Sequence, residues 1–586
     1  MPVLFYLAIA IAAFLVAGRF YGAYVARQLG ETPDRPTPAQ TYNDGCDYVP
    51  TKRSVLFAHH FSAIAGAGPI IGPTVAILYG FVPAWLWVVI GGIFVGAVHD
   101  FAALFVSMRE GGKSVAVISR KTMGKPGFIL FILFTIVMIV LVTSSFMSAV
   151  SVSLTSLWPL QSLELGVDQH LLTTTVKDGV VMGRIGGIAS TSVLIITLFS
   201  PALGWLIYKR GIHTLAAYAL AFIICSGSII AGIAWPIVLP ANAWMVIISI
   251  YVLIAAGIPV WAVLQPRDFI NVQILYAGIA LMFTSLVVAG GHGVTFSMPN
   301  VNLDEGVKNL GLIWPMMFIT IACGAISGFH SLVAGGTTGK QLACERDARR
   351  IGFNAMLLES LLAVCVLLAL GVGLTFADYK EIVWPSVAGV KSNPILAFAL
   401  AGGHLFNKAL GIPVAIGSVF GILLVEGFVI TTLDAAVRLN RYLFEELWVV
   451  LFKNPPAFMR NFWFNSGLSV VLMLTLGATN AFTKLWPIFG AANQLLAALA
   501  LLTITVWLLV KGRRFWFALI PALFMICTTL ASLIILFQKY YREGNQVLAF
   551  TAVLLFALSG GVIALAIKRV VIPMLSGKKI EVMEES

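Results

Sequence analysis

The sequence predicts an all-α polytopic membrane protein, on three observations. Of its 586 residues, 59% are hydrophobic and only 11% charged, and the mean hydropathy is +0.96. Soluble domains carry about 25% charged residues, so a soluble enzyme, a disordered tail and a nucleic-acid-binding module are excluded. Apolar stretches of helical length recur along the whole chain, and at roughly 20 residues plus a short loop per crossing there is room for about fifteen. Finally, when loops are assigned alternately to the two faces, the 37 Lys and Arg residues fall 27 on one side and 9 on the other, with Arg19 inside the first stretch. The side with 27 is predicted to be the cytoplasm, which places the N-terminus outside and the C-terminus inside.

Taken in order, the predicted crossings are 3–26, 53–79, 83–108, 126–156, 184–207, 213–235, 241–264, 268–290, 311–335, 350–374, 411–436, 462–480, 485–510, 515–537 and 547–567. A further stretch, Pro394 to Phe406, is too short to cross and contains Gly402, Gly403 and His404, so it reads as re-entrant or interfacial. The first stretch has neither a basic residue ahead of it nor a small-residue cleavage site after it, and is expected to stay as a helix. Indoles prefer the headgroup level, and Trp85, Trp158, Trp314, Trp384 and Trp486 on the outer side, with Trp205, Trp261, Trp448 and Trp516 on the inner, agree with the charge bias. Of six cysteines, Cys46 and Cys344 fall in cytoplasmic loops and the rest in crossings, so no disulfide is expected. Residues 1–390, which hold both interrupted helices described next, are expected to form the core, with 391–586 as a C-terminal helical region.

Glycine and proline in mid-crossing are informative, because freed backbone groups are tolerated in a bilayer only where protein or a cavity satisfies them. Crossing 53–79 contains Ala65-Gly66-Ala67-Gly68-Pro69 and then Gly72-Pro73 near its middle. Crossing 311–335 contains Gly324-Ala325-Ile326-Ser327-Gly328 followed by Phe329-His330-Ser331. Counted from second to ninth, the two lie seven crossings apart, an odd number, so they are predicted to run in opposite directions, as in an inverted repeat. The half-helix after each break directs amides and a positive dipole end toward the midplane, which suits a carboxylate, while freed carbonyls suit a cation or an ammonium. The plainer alternative is that these glycines only permit close helix packing.

Ionisable residues within the crossings are His59, His60, His99, Asp100, His330, Glu359 and Glu426, with Asp434 at an edge. Burying a charge there costs a few kcal/mol, about 3 at a helix centre, so each needs a partner, a water-filled cavity or a proton. A proton relay and a set of satisfied structural hydrogen bonds are both open. Glu426, Ile430 and Asp434 share a helix face, Thr431 and Thr432 add oxygens, and Asp434 can reach Arg438 one turn on; an ion site and a helix-end salt bridge both fit. His59 and His60 lie near Cys46 and Asp47, but adjacent helical residues point about 100° apart and no ligand spacing occurs, so neither a metal nor another cofactor is predicted. Asn493 and Gln494 are polar within crossing 485–510 and read as interhelical glue or pocket lining.

These residues resemble the carbon starvation protein A family of bacterial inner-membrane transporters. The matching segments are Tyr42-Asn43-Asp44-Gly45, Tyr48-Val49-Pro50-Thr51, the block His59-His60-Phe61-Ser62-Ala63-Ile64 running into Ala65–Pro69, Ser327–Ser331, Thr431-Thr432-Leu433-Asp434 and Trp486-Pro487. The resemblance implies import of peptides when carbon is scarce, or of pyruvate with a proton, and kinship with the amino-acid/polyamine/organocation superfamily. That superfamily has inverted five-helix repeats, whereas here the interrupted helices lie seven crossings apart, so extra helices are inserted or appended. The expectation is a secondary transporter rather than an enzyme, with substrate at Ala65, Gly66, Ala67, Gly68, Pro69 and Ser327, Gly328, Phe329, His330, Ser331. Coupling to a proton is expected among His59, His60, His99, Asp100, Glu426, Thr431, Thr432 and Asp434. The expected partners are a small substrate, membrane lipid and the coupling ion, with no nucleic acid. A membrane nutrient sensor is the competing reading, against which stand cytoplasmic loops too short for an output domain.

Overall fold

The computed structural model describes residues 3–32, 34–44, 48–259, 262–387, 390–452 and 454–575. Gly45, Cys46, Asp47, Trp261 and the C-terminal residues 576–586 lie outside the described residues. Twelve helices are long and apolar enough to cross a membrane, and the pair Arg53–Ile64 and Gly68–Tyr79, bent by 44° at a short break, adds a thirteenth. The difference from the fifteen predicted lies in two segments. Ala241–Gly257 has only 17 helical residues, because Ile258 is extended (ψ 163°) ahead of Pro259, as the residue before a proline prefers. The other is divided into Ile313–Thr320 and Phe329–Gly336, eight residues each, around an unwound stretch.

Helix Leu264–Gly291 begins before the predicted 268, so Arg267, counted among the loop cations, is 1% exposed. The Pro394 segment is a regular helix, Pro394–Leu410: the Asn393 side chain accepts from the Leu396 amide at 3.0 Å, and the helix ends at Gly411.

The chain also departs from the all-α prediction. Leu157–Pro159, Thr174–Lys177 and Val180–Arg184 form a three-stranded antiparallel sheet with Val180–Arg184 in the centre. Its hairpin turns through Asp178 and Gly179, both in the left-handed region (φ 52° and 80°), a dipeptide that suits the two-residue turn between twisted strands. That Asp-Gly pair was the sequence signal for this sheet.

The described chain falls into two compact units, each assembled from three stretches. One comprises 1–7, 139–300 and 365–485; the other comprises 8–138, 301–364 and 486–586. Both draw on residues from either side of position 390. In the first, helix Val414–Leu451 packs against Pro394–Leu410, Leu264–Gly291, Ala241–Gly257, Phe462–Thr479 and Gly186–Tyr208. The second contains both broken helices, together with helix Phe81–Arg109 and the 486–510 part of helix Phe482–Val510.

Candidate functional site

The first broken helix stops at Ile64, unwinds over Ala65, Gly66 and Ala67, and resumes at Gly68. All five residues from Ala65 to Pro69 are buried. Proline just inside the new helix removes a donor where no intrahelical acceptor exists. Gly66 donates to the Ile64 carbonyl at 2.7 Å, but among the described residues no acceptor meets the amides of Ala67 and Gly68. The second helix unwinds after Thr320 and resumes at Phe329, passing through Gly324 at φ +87°, a conformation that favours glycine. The two interruptions touch. A Cβ on Gly68 would run into the Cys323 side chain, and one on Gly324 would stand 3.6 Å from the Pro69 Cα.

The second break is satisfied from within the protein. The Asn493 Oδ1 accepts from the Phe329 amide at 3.0 Å, its Nδ2 donates to the Ser327 hydroxyl at 3.1 Å, and its backbone carbonyl accepts from the Gly328 amide at 3.1 Å. At the other side of the gap, Trp486 donates to the Thr320 carbonyl at 3.0 Å and Gln494 to the carbonyls of Phe318 and Ile321 at 2.6 and 3.1 Å. One helix therefore occupies the amides of Gly328 and Phe329 and the carbonyls of Phe318, Thr320 and Ile321, on the two sides of the break. Trp486 performs this from the interior, 1% exposed, and Trp85 and Trp158 are buried too.

Beside the breaks runs a line of buried titratable side chains. His99 Nδ1 lies 2.7 Å from Asp100 Oδ1, Asp100 Oδ2 lies 2.7 Å from His330 Nδ1, and His330 Nε2 lies 3.4 Å from Glu359 Oε2. Glu359 Oε1 in turn accepts from the Gly324 amide at 3.2 Å, within the second break. His60, from the first broken helix, bonds Thr338 at 2.9 Å. All of these titratable residues are 0–1% exposed. The π-helical turn Gly92–Gly96 precedes His99 and Asp100, and a Cβ on Gly96 would strike the Ala325 carbonyl, which shows how closely this helix approaches the second break.

The predicted coupling residues do not form one group. His59 is exposed, one position round the helix from His60. Glu426, Thr431, Thr432 and Asp434 belong to the other compact unit. There Asp434 pairs with Arg267 at 2.8 Å and accepts from the Tyr251 hydroxyl at 2.6 Å; Arg438 instead donates to the carbonyls of Ala255 and Ile258, so the predicted Asp434–Arg438 bridge is replaced. Thr431 donates to Asp268 at 2.9 Å, Thr432 to its own helix at Phe428, and Glu426 accepts from Ser153. Sequence reading left Arg267, which follows Pro266, in a loop and did not single out Asp268 at the start of crossing 268–290; Leu264–Gly291 begins as a helix with that proline in its first turn, where proline is tolerated.

Comparison with known proteins identifies a family. The chain matches the family described as carbon starvation protein CstA over residues 3–386 and 373–532. The peptide transporter CstA of Campylobacter jejuni is 30% identical over 92% of this chain and 80% of its own length. The pyruvate/proton symporter BtsT of Escherichia coli is also 30% identical, over 89% of this chain and 80% of its own. Among solved structures, a manganese transporter of Eremococcus coleocola aligns with 90% of this chain and 97% of its own at 12% identity and a TM-score of 0.47. With the family's match running over most of its length and relatives at this identity, the chain belongs to the carbon starvation protein CstA family.

Proposed function

We propose that this multi-pass protein of the bacterial inner membrane imports short peptides by proton-coupled alternating access, with its cargo's carboxylate held at the first break. The observation that carries the reading is the pair of buried Ala67 and Gly68 amides, without an acceptor among the described residues, at the start of a half-helix that abuts the second break. Such a helix start favours a carboxylate by its dipole and its free donors. Peptide transport is the activity named for the C. jejuni relative. A proton is the coupling ion because the side chains lined up beside the breaks are histidines and carboxylates that can each carry one. An N-terminus outside, and two broken helices threaded in opposite directions as repeats, complete the proposed frame.

Pyruvate is the second reading, and one observation favours it. A peptide brings an ammonium as well as a carboxylate, yet the carbonyls freed at the end of Ile313–Thr320 are already taken by Trp486 and Gln494. Pyruvate asks only for the amides. Counterflow in liposomes with labelled pyruvate and labelled di- and tripeptides, side by side, separates the two. Exchange of neither cargo rejects the transport reading, and uptake that ignores an imposed pH gradient rejects the coupling.

A further inference from the structure

Glu359 has features that the other buried acids do not combine. It lies within helix Glu345–Gly373, 0% exposed, and no Lys or Arg forms an ion pair with it among the described residues. One of its oxygens holds backbone and the other faces a base: Oε1 accepts from the Gly324 amide at 3.2 Å, and Oε2 lies 3.4 Å from His330 Nε2. Among the described residues Oε2 has no other hydrogen-bond partner, and the His330 ring also faces the backbone of Ile64, at the end of the first half-helix. Asp100, from helix Phe81–Arg109, and Cys323, from the unwound stretch, are the other titratable groups that act on it. Gly324 itself sits at the left-handed φ on which the shape of the second break depends.

We propose that Glu359 is the positioning residue through which proton occupancy reaches the break. The proposal rests on the transport reading above and names the device that links the proton to the cargo site. With Glu359 ionised and His330 protonated, the carboxylate holds the Gly324 amide in a charge-assisted hydrogen bond. When the proton crosses, the His330 Nε2–H bond breaks and a Glu359 Oε2–H bond forms, leaving a neutral imidazole and a neutral acid. Oε1 then accepts as a neutral carbonyl, about half as strongly, and the grip on the 321–328 stretch loosens. That stretch touches the first break through Cys323 and Gly68, so proton position and cargo site become one equilibrium.

The test uses the purified full-length chain in liposomes. Glu359→Gln keeps an oxygen able to accept from the Gly324 amide but cannot take up the proton. The expected result is retained counterflow with loss of gradient-driven accumulation, down to the level seen without a gradient, and a flattened pH profile. Gradient-driven accumulation and a pH profile like those of the unaltered protein would overturn the proposal. If the variant also loses counterflow, cargo binding to the detergent-purified protein is read by tryptophan fluorescence from acid to alkaline pH. An affinity that no longer depends on pH supports the proposal, and the unaltered protein's pH dependence overturns it. An unaltered protein that exchanges neither pyruvate nor peptide removes the transport reading itself, and the proposal with it.

Discussion

Replacing Asn493 by alanine tests whether the second break is held from helix Phe482–Val510. The substitution removes the side-chain hydrogen bonds to three groups, the Phe329 amide at 3.0 Å, the Ser327 hydroxyl at 3.1 and 3.4 Å and the Cys323 sulfur at 3.6 Å, and spares the backbone bond to Gly328. Interhelical hydrogen bonds in membranes average about 0.6 kcal/mol each, so three amount to about 2 kcal/mol. At about 1.4 kcal/mol per factor of ten, the ordered break loses population by up to about 30-fold. If cargo binds only when the break is ordered, the half-saturating concentration rises by up to the same factor. Counterflow measured against cargo concentration reads this directly, and thermal unfolding in detergent should fall in parallel. Thr503→Ala is the control, since that hydroxyl bonds only the Leu499 carbonyl of its own helix, at 2.9 Å. Wild-type half-saturation and melting in Asn493→Ala, or an equal loss in Thr503→Ala, would refute the reasoning.

Gly68→Ala should abolish uptake by driving a methyl group into the Cys323 side chain; adding Cys323→Gly leaves its nearest atom there at 3.8 Å, so the double variant should regain activity in the same liposome assay. Arg267→Met strands the buried carboxylate of Asp434, a change that typically costs about 3–5 kcal/mol, and should sharply lower the yield of folded protein, whereas adding Asp434→Leu should restore it, as size-exclusion profiles would show. Glu110, just past the end of helix Phe81–Arg109, offers a pH prediction. Burial alone would raise its carboxyl, but hydrogen bonds from Trp507 at 2.7 Å and Lys121 at 3.0 Å hold it below the ordinary value. A depressed folded-state pKa gives stability that is full above the unfolded value and fades as pH falls through the folded one. Melting temperature should therefore drop on acidification below the ordinary carboxylate range, with a smaller drop in Glu110→Gln.

What the sequence disclosed and what it hid follow from range. Ala65–Pro69 and Gly324–Gly328 were legible because a bilayer penalises free backbone, so a glycine–proline cluster in mid-crossing announces a break without any knowledge of neighbours. That the breaks abut through Gly68 and Cys323 was expected only from their matching depth. The occupation of the second break was hidden, because Asn493 and Phe329 lie 164 positions apart and nothing local tells a capping asparagine from a packing one. His59 and His60 show the opposite limit: adjacent in sequence, they were grouped together, yet the 100° step between them leaves one exposed and one bonded to Thr338. Arg267 failed for a local reason, since a charge after a proline resembles a loop until a distant Asp434 pairs with it, and Asp268 gave no sign of its distant donor Thr431.

The two buried polar networks differ in a way that bears on which can couple transport to a proton. In the first unit Asp434 faces Arg267, whose guanidinium keeps its charge at any physiological pH, so that pair contains a fixed cation. That pair is suited to holding helices Leu264–Gly291 and Val414–Leu451 together. Among the described residues the line His99–Asp100–His330–Glu359 has no permanent cation as a partner, and its members are histidines and carboxylates that can each carry a proton. It also ends on the Gly324 amide, so a change of charge there is felt by the backbone of a break. A relay that cannot change charge couples nothing, and one that touches no movable backbone has no means of acting on the cargo. By both criteria the proposed coupling is best served by Asp100, His330 and Glu359, whereas Glu426, held by the Ser153 hydroxyl within the unit that contains Arg267, meets only the first.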